Sequence, residues 1–172
     1  PGSAAKAFVD NMARKAITFL GNEKFSEEEK SKEFRKLLKA NYDMQTIGRF
    51  ALGKYWRTAT KAQQQEYQKL FEEMAVEVYT RRFSEYKGET LDVRAVRAEG
   101  ETDNVVSSYI IPPEGEEVQV DWRTRYKDGQ YKIVDVIVEG VSMALTQRSD
   151  FDSVIQRGGG NIEALLAHLR SK

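Results

Sequence analysis

The chain has 172 residues, no cysteine, and 27 Lys and Arg balanced by 27 Asp and Glu. The length suits a single domain, 1–172, with a substantial core. Zero net charge argues against a nucleic-acid binder and against polybasic attachment to anionic lipid, and the lack of Cys excludes a disulfide framework, a zinc-finger site and a thiol nucleophile.

The first half reads as helices. Val9, Met12, Ala13, Ala16, Ile17 and Leu20 form an amphipathic stripe that Gly21-Asn22 ends. Ser26 and Glu29 have the spacing of a capping box, opening a helix that packs through Phe34, Leu37 and Leu38. Asp43 caps a third helix, whose stripe is Met44, Ile47, Gly48, Ala51, Leu52 and Tyr55, with Phe50 and Trp56 outside it. Thr60 and Gln63 form a second capping box. They begin a long helix to about Lys87, packed through Tyr67, Leu70, Phe71, Met74, Ala75 and Val78, with Tyr79, Phe83 and Tyr86 widening its apolar arc.

After Gly88 the period changes to two. Leu91, Val93 and Ala95 alternate with charges; Val105 to Ile111 is a strand stopped by Pro112-Pro113. Val118, Val120, Trp122, Thr124 and Tyr126 alternate with polar residues, Asp128-Gly129 makes a hairpin turn, and Tyr131 to Glu139 returns. Short helices are expected over 151–157 and after the N-cap Asn161. Helices first, strands second and a helical tail give an α+β class with a four-stranded antiparallel sheet. No run is long and apolar enough to span a bilayer, so stable membrane insertion is not expected. Pro1-Gly2-Ser3 reads as a cloning remnant, with a leader peptide presumed removed ahead of it.

The last strand is apolar on both faces: Val134, Val136 and Val138 point one way, Tyr131, Ile133 and Ile137 the other. A sheet with one wet face alternates more cleanly. The pattern fits a sheet covered by helices on both sides. It also fits a hollow between helices and sheet, lined by the surplus apolar residues.

Residues able to do chemistry are few. His168, the sole histidine, sits near the C-terminus among leucines and reads as exposed or as a helix cap. No catalytic residue, metal site or cofactor is expected. Asp135, inside an apolar strand, is either a general base with a raised pKa or an acceptor satisfied by backbone N–H groups or an arginine. The absence of a partner acid favours the second. Gly158-Gly159-Gly160 lacks the Lys-Ser/Thr of a phosphate loop, and Glu139-Gly140-Val141-Ser142 lacks the glycine spacing of a nucleophile elbow. Gly140 instead permits a bend.

Several segments, in order along nearly the whole chain, resemble the MlaC family of periplasmic phospholipid-binding proteins, also called toluene-tolerance auxiliary proteins. They are 42–44 with 47–56, the 60–63 helix start running on to Tyr79, 118–123, Tyr131-Lys132-Ile133-Val134-Asp135-Val136 with 138–142, 148–151 and 165–169. One departure is 143–147, where relatives often carry an Asn-Tyr pair before the arginine. The resemblance implies a cone similar to nuclear transport factors with helical additions, and a carrier without enzymatic activity. That carrier would hold a phospholipid by its acyl chains, or a hopanoid-related lipid in a related branch. It also implies a periplasmic location, and exchange between an outer-membrane lipoprotein–porin complex and an inner-membrane ABC transporter with MCE domains. On this reading Phe50, Leu52, Trp56, Met74, Val78, Tyr79, Tyr109, Trp122, Val136, Val138, Val141 and Phe151 contribute to the pocket wall. Two other readings stand beside it: a small-molecule enzyme using Asp135 with a Tyr as oxyanion donor, and a protein-interaction module presenting the sheet face.

Overall fold

The computed structural model describes residues 2–83 and 85–171, with Phe83 described by its backbone alone. Helices α1 (Gly2–Leu20), α2 (Glu27–Asn41), α3 (Met44–Leu52), α4 (Tyr55–Thr58) and α5 (Lys61–Phe83) precede the sheet. Strands β1 (Thr90–Glu99), β2 (Asp103–Ile111), β3 (Val118–Lys127), β4 (Gln130–Val138) and β5 (Val141–Ser142) follow, then α6 (Met143–Arg157) and α7 (Ile162–Arg170). The class is α+β, and the sheet is antiparallel and open, in the order β1-β2-β3-β4-β5.

Local chemistry explains most boundaries. Ser26 and Glu29 close a reciprocal capping box at 3.1 Å in both directions, as Thr60 and Gln63 do before α5. Asp43 caps α3 through the Thr46 N–H, and Asn161 caps α7 through the Glu163 N–H. Asp128 and Gly129 both have positive φ, the requirement of a tight two-residue hairpin.

Four expectations are corrected. The α3 stripe does not run through Tyr55: Gly53 takes φ 62° and ψ −135°, where a side chain is strained, and Tyr55 starts α4. Helix α5 stops at Phe83, before Lys87; the side chain of Phe83 lies outside the described residues. A fifth strand exists because Glu139 (φ 50°) and Gly140 (φ 80°) make a second two-residue turn, pairing Val138 with Val141. Helix α6 starts at Met143 rather than near Phe151, since the Ser142 hydroxyl accepts the Leu145 N–H and begins it eight residues earlier.

The facing of β4 also differs. A bulge sets Arg123 opposite Asp135 and Thr124 opposite Ile133. Ile133 therefore shares a face with Val136 and Val138, and Val134 falls out of the alternation expected for it. The free edge of β4 is covered twice, by β5 at Ile137–Val138 and by Tyr42, which bridges Ile133. The Asp43 N–H donates to the Ile133 carbonyl at 3.0 Å. This protects an edge that would otherwise recruit another strand.

Helix α1 lies on one sheet face, packing Ala5 and Val9 on Val106, with Val96, Trp122 and Tyr131 around them. The broad arc of α5 is shared among several neighbours. Tyr67 and Phe71 pack with Leu52, Phe151, Ile155, Leu165 and Leu166 in a helical core. One turn on, Ala75 and Val76 meet Leu38 of α2.

Candidate lipid-binding site

The face under α1 carries rows set by register: Val106, Trp122 and Val136 in one, Ser108, Val120 and Val138 in the next. Its polar atoms satisfy one another. The Ser108 hydroxyl donates to the Val120 carbonyl at 2.7 Å and accepts from the Trp122 indole at 2.9 Å. Thr124 donates to the Asn104 carbonyl at 3.0 Å. What this face offers a visitor is hydrocarbon, with few directional contacts. Ser108 and Val120 are buried, while Trp122, Val136 and Val138 keep accessible surface.

Two tyrosines are perturbed by their surroundings. Burial pushes the Tyr42 phenol well above the usual tyrosine range, and Tyr79 adds to it. Burial pushes Tyr79 up as well; Arg82 opposes the shift and Asp135 reinforces it. Yet both side chains are only half-buried by accessible area. Both rings pack against the buried Leu38, Ala75 and Val76 of α2 and α5. Tyr67 gives the contrast: also pushed up by burial, it has no accessible surface and donates to the Gly48 carbonyl at 2.6 Å. Tyr42 also lines an outer cleft of about 510 Å³, with Lys39, Asp43, Glu72, Arg125 and Lys132 among its walls.

Asp135 is an anchor. Its carboxylate accepts from the Ala144 N–H at 3.0 Å, from the Val136 N–H at 2.8 Å and from the Ser142 hydroxyl. It thereby ties the first turn of α6 to β4, where a negative charge also suits the helix N-terminus. Asp135→Ala should lower unfolding free energy by about 2 kcal/mol, the scale of a lost cap plus a stranded donor. Lipid transfer between vesicles by the folded variant should be unchanged, whereas a catalytic base would show itself as lost turnover.

Asp103 is 3% exposed and holds two arginines, accepting from Arg123 Nε at 2.7 Å and from Arg125 Nε at 2.8 Å. Burial pushes this carboxyl up, but hydrogen bonds from Arg125, Arg123 and Thr102 outweigh it and hold it at about 2, against an ordinary 3.8. A lowered folded-state pKa stabilises above the unfolded value, and that contribution is lost as pH falls through the folded one. Solvent-exposed guanidinium partners reduce it to about 1–2 kcal/mol. Denaturant titrations from pH 5 down to pH 2 should show that loss, and it should be absent in Asp103→Asn.

The twelve expected wall residues are not all brought together. Trp122, Val136 and Val138 share the inner face, and Tyr79 packs among the helices against Phe34, Leu38 and Ala75. Leu52 and Phe151 are buried in the helical core, with Trp56 and Met74 packed against it. Tyr109 lies under the Arg94 guanidinium, 4.0 Å from its ring centroid. Phe50, Val78 and Val141 are exposed. Sequence reasoning missed Tyr42, which lines the outer cleft and packs against Leu38, Ala75 and Val76; its signal was an aromatic just ahead of a cap residue, at a chain reversal. His168 is exposed in the last turn of α7. Among the described residues no group of three or more His, Cys, Asp or Glu converges as a metal site, and no helix is long and apolar enough to cross a membrane.

An open antiparallel sheet under a helical cover, with a hydrocarbon inner face, defines the fold class. The same fold occurs in a phospholipid-binding protein from Ralstonia solanacearum, solved in complex with a phospholipid: TM-score 0.83, 24% identity, 97% of this chain and 95% of that one. The model of the MlaC protein family matches residues 10–171, so the chain belongs to the MlaC family. It is also similar to the toluene tolerance protein ttg2D of Pseudomonas putida, 26% identical over 110 residues. That match takes in 64% of this chain and about half, 51%, of the relative's length.

Proposed function

We propose that this protein is a periplasmic phospholipid carrier that holds acyl chains between the inner sheet face and the helices. The observation that carries the reading is the inner sheet face itself, where Ser108, Trp122 and Thr124 are satisfied within the sheet while Trp122, Val136 and Val138 keep accessible surface. Family membership supports it. Each methylene kept from water is worth about 0.8 kcal/mol, so a lipid with two chains leaves a bilayer slowly unless its apolar surroundings are replaced. An inner face without free donors or acceptors suits chains that have none to offer. The headgroup stays near water, at the cleft beside Tyr42. The carrier exchanges its cargo with an outer-membrane lipoprotein–porin complex and an inner-membrane ABC transporter bearing MCE domains.

The test is organic extraction and mass spectrometry of protein purified from bacterial cells, with native mass spectrometry of the intact complex. Phospholipid at about one per chain is expected. A hopanoid in its place would move the protein to the sterol-like branch of cargo. Apo mass alone, together with no transfer of phospholipid between vesicles, would refute the carrier.

A further inference from the structure

The chain is neutral overall, but residues 44–65 carry Arg49, Lys54, Arg57 and Lys61 and no Asp or Glu. Among the described residues, Arg49, Lys54 and Arg148 are exposed and have no carboxylate within ion-pair distance. They lie over rings instead. Arg49 is 5.6 Å from the Trp56 centroid, Lys54 is 5.3 Å from Tyr55, and Arg148 is 4.5 Å from Phe50. The aliphatic stem of Arg148 also runs past Gly53.

The same region leaves large apolar side chains in water. Phe50 is 39% exposed, Leu145 49% and Val141 52%. Leu145 is one turn before Arg148 on α6, and Val141 immediately precedes the Ser142 cap. Helices α3 and α6 pack together, so these residues form one patch. Its acidic neighbours on the same elements are few. Asp152 accepts from the Tyr55 hydroxyl at 2.9 Å, Glu139 accepts from the Gln119 N–H at 2.8 Å, and Asp150 lies two residues beyond Arg148.

We propose that Phe50, Val141 and Leu145, with Arg49, Lys54 and Arg148, form a docking surface for an anionic phospholipid bilayer. Cations without carboxylate partners attract phosphate-bearing surfaces, and adjacent apolar side chains enter the headgroup layer. A protein partner fits less well, because Lys54 is of a type depleted from protein interfaces, and three cations lacking carboxylate partners match a phosphate-rich surface without needing a geometrically matched set of acids. With a handful of basic groups and neutral overall charge, docking is brief, as a shuttle requires. Phe50 and Arg148 lie on α3 and α6 rather than on the inner sheet face, so docking and lipid loading can be measured independently through them.

The test is co-sedimentation of the full chain with vesicles of phosphatidylcholine alone and of phosphatidylcholine mixed with phosphatidylglycerol, at low salt. Binding to the anionic vesicles should be about tenfold stronger and should weaken as salt rises. The double variant Phe50→Ser/Arg148→Glu should lose about tenfold or more of it, since reversing one charge alone changes two charge units. Its thermal melting and bound lipid should match wild type. Arg14→Glu on α1, an exposed cation already paired with Asp10, should bind as wild type does. Equal binding to both compositions, equal loss in Arg14→Glu, or an unaffected double variant would each overturn the proposal. Binding to neither vesicle would also overturn it, leaving the patch to a protein partner.

Discussion

Val138→Glu should empty the protein of lipid while leaving it folded. Val138 lies on the inner sheet face opposite Val120, which is 3% exposed, and keeps accessible surface of its own. In the lipid-free protein a glutamate there reaches the space beside it and stays hydrated. Acyl chains filling that space must bury the charge or force it to protonate. Protonating a group of ordinary pKa about 4.3 at pH 7 costs up to about 4 kcal/mol, so affinity should fall by roughly two orders of magnitude. Phospholipid recovered per mole of protein, and the rate of vesicle-to-vesicle transfer, should both collapse. Melting is to be compared with delipidated wild type, because loss of a ligand lowers melting by itself. Unfolding of Val138→Glu under those conditions would mean that Val138 is ordinary core, and that the inner face is filled by side chains.

Leu166→Ala should do the reverse, weakening the fold without touching the lipid face. Leu166 is fully buried with Leu165, Tyr67, Phe151 and Ile155, where α5, α6 and α7 meet. Truncation removes the transfer energy of the lost carbons and leaves a cavity that packed aromatic neighbours cannot collapse into. Tyr67 and Phe71 each meet Phe151 edge-on. The expected loss is about 3 kcal/mol, lowering the melting temperature by roughly 6–12 °C for a chain of this size. Leu145→Ala, at a residue 49% exposed, should change stability by less than about 0.5 kcal/mol. Similar losses at both positions would contradict the division between helical core and surface patch.

These two substitutions separate what a pattern of apolar residues leaves merged. In the sequence, Val138 and Leu166 look alike. Hydrophobic periodicity reports which residues avoid water, and a side chain against protein and a side chain against a fatty acid avoid it equally. The arc of α5 shows the ambiguity: its breadth suggested a cavity, and much of it is used by α2, α3 and α7.

The elements were legible where one short-range interaction decides them. Capping boxes at Ser26 and Thr60, the caps Asp43 and Asn161, and the Asp128-Gly129 turn all lie within a few residues of their own partners. So did the α+β order, because hydrophobic period is local. The ordered motifs that resemble the MlaC family placed the chain correctly without a structure. What needed the tertiary structure was every contact between distant segments. The bulge opposite Arg123 turned Ile133 to the inner face. Ser142 starts α6 early because Asp135, seven residues back, accepts a hydrogen bond from its hydroxyl and holds it in place as the cap. Tyr42 and Tyr79, thirty-seven positions apart, pack against the same buried Leu38, Ala75 and Val76. Phe50 and Val141, apolar and so expected inside, are exposed: α3 spends its inner face on α5 and α6, and Val141 sits on β5, the edge strand of the sheet. Local free energies choose helix, strand and turn; which apolar surface is left over, inside or outside, depends on how the elements divide the burial among themselves.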